Sequence, residues 1–78
     1  MLIELDYETV SALEAALIVA DIADSRYAIN FERMAARETD AEARQEALEL
    51  AAFNRRRAER FRKAQAALER AKEEGPHA

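Results

Sequence analysis

Apolar residues recur at alternating spacings of three and four along the first half of the chain. The members of this series are Val10, Leu13, Leu17, Ala20, Asp24, Tyr27, Phe31 and Met34, of which only Asp24 is charged. A heptad seam of this kind predicts a long α-helix that packs against another helix. A second apolar stripe, formed by Ala15, Ile18, Ile22 and Ile29, runs beside it. The combined face is wider than the roughly 100° that one neighbouring helix covers.

The second half of the chain has the same spacing but smaller side chains. Its series is Ala43, Ala47, Leu50, Asn54, Arg57, Phe61, Ala64, Leu68 and Ala71. This pattern predicts a second long helix, and the alanines would allow the two helices to approach closely. The two seams together indicate an all-α, antiparallel helical hairpin.

Capping residues set the expected ends of the two helices. Asp6 is a suitable N-cap for a helix over 7–37, and Thr39 with Glu42 fits a capping box for a helix over 40–74. Gly75 and Pro76 end the second helix. Residues 1–6 then form an N-terminal arm, and 75–78 form a tail. No glycine or proline lies between 35 and 40, so one continuous bent helix is an alternative.

The size of the chain favours self-association. Its 78 residues form a single domain, 1–78, and a domain of this size buries only about 60–65% of its unfolded surface. There is no cysteine to form a disulfide, and small unstapled chains often complete their core by oligomerisation. We therefore expect a homodimer in which two hairpins pair into a four-helix bundle and cover the stripe of Ile18, Ile22 and Ile29.

Polar residues interrupt both seams, and a hairpin would bring these interruptions together. With a turn near residue 39, facing residues have numbers that sum to about 78. This register places Asp24 opposite Asn54 and Asp21 opposite Arg57, and Tyr27 and Phe31 in the core. We expect a structural polar lock formed by Asp21, Asp24, Asn54 and Arg57, in which Asp24 and Arg57 support each other. A polar pocket that recognises a ligand or partner group is the alternative.

Charge is sorted along the chain. Residues 1–24 carry six acids and no base, whereas residues 55–63 carry six bases and one acid. In a hairpin the acids of the first helix would neutralise much of this basic run. Its members are Arg55, Arg56, Arg57, Arg60, Arg62 and Lys63. Bases left unpaired would suit an acidic protein surface or a nucleic-acid backbone, although the chain as a whole is acidic, with a net charge of −4.

Composition argues against several classes of function. With no cysteine and a single histidine, His77, the chain offers no metal site. It has no cofactor motif and no catalytic constellation, so we expect a protein that is not an enzyme. The longest strongly apolar stretch is too short to span a bilayer. The N-terminus lacks the basic region of a signal peptide, and a cytoplasmic location is expected.

The sequence thus favours a small protein–protein interaction module. Such a module would act as a regulator or inhibitor by occluding an unidentified partner protein, and a virus or mobile element is a candidate source. Nucleic-acid binding through the basic run is the alternative. The candidate partner-binding residues are Leu2, Ile3, Leu5, Ile18, Ile22, Ile29, Arg55, Arg56, Arg60, Arg62 and Lys63.

Overall fold

The protein is a helical hairpin, as expected. The computed structural model describes residues 6–74, in which helix α1 spans Tyr7–Arg37 and helix α2 spans Ala41–Glu74. The described residues contain no strand. The chain turns back at 38–40, so the alternative of one continuous helix is wrong. Of the expected N-terminal arm over 1–6, residues 1–5 lie outside the described residues, as do the terminating Gly75 and Pro76.

Side-chain carboxylates begin both helices. The Thr9 amide donates to Asp6 Oδ1 over 2.7 Å, which confirms Asp6 as the N-cap of α1. At the second helix the predicted cap is wrong by one residue. The Ala43 amide donates to Asp40 Oδ2 over 2.8 Å, so Asp40 caps α2 in place of Thr39, and α2 begins at Ala41.

The turn is closed by hydrogen bonds around Glu38. The Glu38 amide donates to the Ala35 carbonyl over 3.3 Å, and the Asp40 amide donates to Glu38 Oε1 over 3.0 Å. Arg44 reaches back from the first turn of α2 and donates to the Glu38 carbonyl from Nη2 over 3.0 Å. These bonds satisfy backbone groups that helix ends leave without partners. They allow a three-residue connection without glycine or proline.

Alanine fills the centre of the contact between the helices. The buried hydrophobic residues among those described are Ala28, Ala35, Ala47, Ala51 and Ala58. Alanine has no atoms beyond Cβ, so the two backbones can approach closely along this line, which we call the alanine seam. The partly buried side chains of Leu17, Phe31, Phe61 and Leu68 extend the contact along the helices.

Both helices are rotated relative to the predicted seam. Asp24 and Phe31 point inward as expected, but Tyr27 is 54% exposed, and its neighbour Ala28 is fully buried. Leu50 is likewise half-exposed, while Ala51 is buried. The expectation that Tyr27 lies in the core is therefore wrong. A tyrosine or leucine at these positions of the seam would hold the helices apart, and the rotation places alanine there.

The molecule is a rod with a high surface area for its mass. It measures 60 × 20 × 15 Å and has a radius of gyration of 17.2 Å, whereas a compact domain of this length has one of about 12 Å. Two helices have no third layer beneath which large side chains can be buried. The larger apolar residues therefore lie along the flanks of the alanine seam.

Candidate protein-binding surfaces

One ion pair crosses the alanine seam at its middle. Arg57 donates from Nε and Nη2 to the two carboxylate oxygens of Asp24, each over 2.7 Å. Asp24 is only 3% exposed, so its charge depends on this partner. The guanidinium lowers the pKa of Asp24 by hydrogen bonding, and Asp24 raises that of Arg57. The two residues are therefore in direct contact, and their mutual support in stability stays a prediction.

The other two members of the expected lock have different partners. The side chain of Asn54 donates to the Leu50 carbonyl in its own helix over 2.9 Å and is not the partner of Asp24. Asp21 lies 3.3 Å from Arg62 Nε and accepts a hydrogen bond from the Ser25 hydroxyl. The predicted pairs of Asp24 with Asn54 and of Asp21 with Arg57 are therefore wrong.

The direction of side chains along a helix explains this error. Each Cα–Cβ bond tilts toward the N-terminus of its helix. Side chains of α1 therefore lean away from the turn, while those of α2 lean toward it. An acid of α1 meets a base whose backbone lies further along α2 than the direct register implies. Accordingly, Arg57 lies three residues beyond the position predicted opposite Asp24, and Arg62 lies five beyond that predicted opposite Asp21.

Two further ion pairs join the helices. Near the open end of the hairpin, Lys72 Nζ lies 3.0 Å from Glu14 Oε1. Lys72 lowers the pKa of Glu14, whereas a hydrogen bond to Glu14 raises the pKa of the adjacent Glu69. Nearer the turn, Arg55 pairs with Glu32. The ion pairs between the described helices thus join acids of α1 to bases of α2, as the sorting of charge along the chain predicts.

One flank of the hairpin carries large apolar side chains from both helices. Leu13, Tyr27 and Met34 follow one another at multiples of seven along α1, and Leu50 and Phe53 are one turn apart on α2. All five are exposed. Met34 and Leu50 line the same cleft together with Ala43, which places the two helices' contributions on one side. We call these five residues the aromatic face.

The Arg57 guanidinium connects this face to the seam. It lies 5.1 Å from the centre of the Phe53 ring while it binds Asp24. The cation and the ring attract each other, so Phe53 is held at the surface with its outer side toward solvent. The predicted site residues do not include this face. The sequence offered Tyr27 or Ala28, and Leu50 or Ala51, as the residue that lies in the seam. Assigning the alanines to the seam would have placed Tyr27 and Leu50 on this face.

The opposite flank carries the predicted isoleucines. Ile18, Ile22 and Ile29 are each between 41% and 47% exposed, and we call them the isoleucine face. Leu48 lies on this side of α2, seven residues before Arg55, and is also exposed. The pairs of Arg55 with Glu32 and of Arg62 with Asp21 run along the border of this face on α2.

The basic run divides into paired and unpaired members. Arg55, Arg57 and Arg62 bind acids of α1. Arg56, Arg60 and Lys63 are exposed and form no ion pair with any residue between 6 and 74. The expected neutralisation of this run by α1 is therefore partial.

The remaining candidate residues contribute no described site. Leu2, Ile3, Leu5 and His77 lie outside the described residues. Within residues 6–74, no three carboxylate or imidazole groups are close enough together to hold a metal ion. The described helices include none with an apolar segment long enough to cross a membrane. Comparison with known protein families, with curated proteins and with solved structures found no match to this chain.

Proposed function

We propose that this chain is a non-enzymatic protein–protein interaction module that binds a helix of its partner on the isoleucine face. The observation that carries the proposal is the exposure of Ile18, Ile22 and Ile29 along one line of α1, because a row of isoleucines in water favours coverage by another apolar surface. The role that we propose for it is that of a regulator or inhibitor, which acts by occluding this partner. The cytoplasmic location stays a prediction.

Charge around the isoleucine face defines the chemistry of that partner. Arg26 and Arg33 lie one turn beyond Ile22 and Ile29 respectively, and neither is in an ion pair with a described residue. Arg55 and Arg62 border the other side, but each is already paired with an acid of α1. An amphipathic helix with apolar residues at spacings of three and four, and with acidic residues on the flank that meets Arg26 and Arg33, fits this arrangement.

Site-specific photocrosslinking in the cells that produce the protein tests this proposal. A photoreactive amino acid replaces Ile22 in one variant and Glu49, on the outer side of α2, in the control. We expect a second protein to be crosslinked at 22 and not at 49. The captured protein is then purified and titrated with the unmodified chain, and the expected result is a complex of defined stoichiometry that weakens as salt is raised.

Two variants identify the surface in that titration. Ile22→Glu places a charge in the isoleucine face, and Arg26→Glu reverses the charge at one border of that face. We expect both to weaken binding at least about tenfold, while Glu49→Lys leaves it unchanged. The proposal is wrong if position 22 crosslinks nothing, if it captures only a second copy of the chain, or if the purified protein binds Ile22→Glu as well as wild type.

A second candidate function rests on the unpaired bases of α2. Arg56, Lys63 and Arg70 recur every seven residues along its outer side, and none pairs with an acid of α1. Such a row could contact successive phosphates of a nucleic acid. Fluorescence anisotropy with labelled single- and double-stranded DNA and RNA at low salt measures this binding. Salt-sensitive binding that is lost in Arg56→Glu with Lys63→Glu would support it, and no binding at low salt would exclude it.

A further inference from the structure

We infer that the aromatic face is the site at which a second copy of this chain binds, with the two hairpins stacked so that their turns lie at opposite ends. This surface differs from the isoleucine face and goes beyond the proposed partner binding. In the stacked pair, α1 lies on α1 of the second copy and α2 on its α2. The two-fold axis passes near Phe53.

Surface area supports a partner of this size. The chain exposes 6380 Å², whereas a compact monomer of 8.8 kDa exposes about 4,800 Å². The difference is roughly 1,600 Å² per chain, and a standard interface buries about 800 Å² on each partner. The excess is large enough for an interface of standard size between two copies.

The aromatic face is complementary to itself. Glu46 and Arg60 each lie seven residues, or two helical turns, from Phe53 on the same side of α2. Neither has an ion-pair partner among the described residues. When two α2 helices cross antiparallel at Phe53, Glu46 of each copy faces Arg60 of the other. This pairing occurs twice, as a two-fold axis requires.

The apolar residues of α1 fit the same arrangement. Leu13 lies toward the open end of the hairpin and Met34 toward the turn, so the antiparallel stacking places Leu13 of one copy near Met34 of the other. Tyr27 lies between them, near the axis. Small side chains near these residues leave space for the two copies to approach closely. They are Ala16, Ala20 and Ala23 on α1 and Ala64 and Ala67 on α2.

The isoleucine face is less suitable for a second copy. Arg26 and Arg33 lie along its outer border without an ion-pair partner among the described residues, and two copies placed face to face would bring these like charges together. The dimer expected from the sequence used this face. The structure favours the aromatic face, whose few charges have both signs.

Charge reversal combined with light scattering on a gel-filtration column tests this inference. We expect the wild type to be a dimer. Glu46→Arg and Arg60→Glu should each weaken dimerisation on the order of tenfold, and the double variant should restore it. Glu49→Arg, one turn away on the outer side of α2, is the control. A monomeric wild type, or a dimer that responds equally to Glu46→Arg and Glu49→Arg, would overturn the inference, as would a double variant that stays as weak as the single ones.

A crosslinking experiment provides a second, independent readout. The chain has no cysteine, so single cysteines can be introduced with Phe53→Cys near the proposed axis and with Ala52→Cys facing the other flank. A short bismaleimide should link two copies at 53 and not at 52, and the reverse result would contradict the inference.

The two proposals can fail separately. If the chain dimerises as described but position 22 captures no second protein, only the proposed partner binding is contradicted. A monomer that still binds its acidic partner would contradict only the stacking.

Discussion

At the scale of single residues, Asp24 is a buried charge that Arg57 holds in place. It is buried, it accepts two hydrogen bonds from Arg57, and Arg57 in turn lies over Phe53. The break in both heptad series was enough to predict that these two residues act together. Their register was not predictable from numbering alone, because the tilt of the side chains displaces the contact along α2. Asn54 satisfies its amide within α2, which a pattern of spacings does not reveal.

A double-mutant cycle measures this interaction. Arg57→Ala leaves the Asp24 carboxylate buried without its partner, whereas Asp24→Ala leaves an arginine that can reach water. We therefore expect Arg57→Ala to be the more destabilising change and the double variant to lose less than the sum. Urea unfolding monitored by circular dichroism gives the free energies. Asp21→Ala with Arg62→Ala removes a longer pair, 3.3 Å apart, whose arginine side chain is 55% exposed, and should show less coupling. Additive losses at Asp24 and Arg57 would contradict their mutual support.

The same residue makes stability depend on acid. Since Arg57 lowers the pKa of Asp24 below its ordinary value of 3.8, the folded state binds this proton less readily than the unfolded chain. Its contribution is complete above pH 3.8 and is lost as pH falls through the lowered pKa. We expect unfolding curves measured from pH 7 to pH 2 to show a loss that is smaller in Asp24→Asn. An identical acid dependence in wild type and variant would argue against this origin.

At the scale of the helices, the alanine seam determines which side chains are left outside. Periodicity in the sequence was sufficient to predict two long helices, their reversal near residue 39 and the Asp6 cap. It was not sufficient to choose between Tyr27 and Ala28, because both are apolar and adjacent positions differ by only about 100° around the helix. Alanine occupies the seam because two helices in close contact accommodate it more readily than tyrosine. The aromatic face is the direct result.

Substitution at the seam tests its packing. Ala28 has no exposed surface, so Ala28→Leu forces the helices apart, and we expect a loss of about 1–3 kcal/mol in the free energy of unfolding. Ala12→Leu, on the outer side of α1, is the matched control and should change stability little. Urea unfolding of both variants provides the comparison. A neutral Ala28→Leu variant would mean that the helices are not in close contact there.

At the scale of the whole molecule, the hairpin has two unlike flanks. One flank is apolar on both helices, and the other combines a row of isoleucines with arginine borders. The sequence predicted the isoleucine row and the excess of apolar surface. It did not separate the two flanks, because their difference depends on the rotation of the helices about the seam.

If the chain associates with a second copy through either flank, its Tm depends on protein concentration. Because mass action stabilises a folded dimer, we expect Tm to rise by roughly 4 °C for each tenfold increase in protein concentration. Circular dichroism in cells of different path length covers the range. A Tm that does not change with concentration, in a chain that unfolds reversibly, would contradict dimerisation. Glu46→Arg should reduce the slope at low concentration.

The turn around Glu38 also sets the order in which the hairpin assembles. Contacts next to the turn close short loops and lose little chain entropy, whereas the pair of Glu14 with Lys72 must close almost the whole chain. We therefore expect the structure to form from the turn toward the open end, and this locality of contacts is typical of fast folding. In the native state the order is reversed. We expect the ends of the rod to separate first, so that hydrogen exchange measured by NMR is faster for the backbone amides there than for those beside the turn.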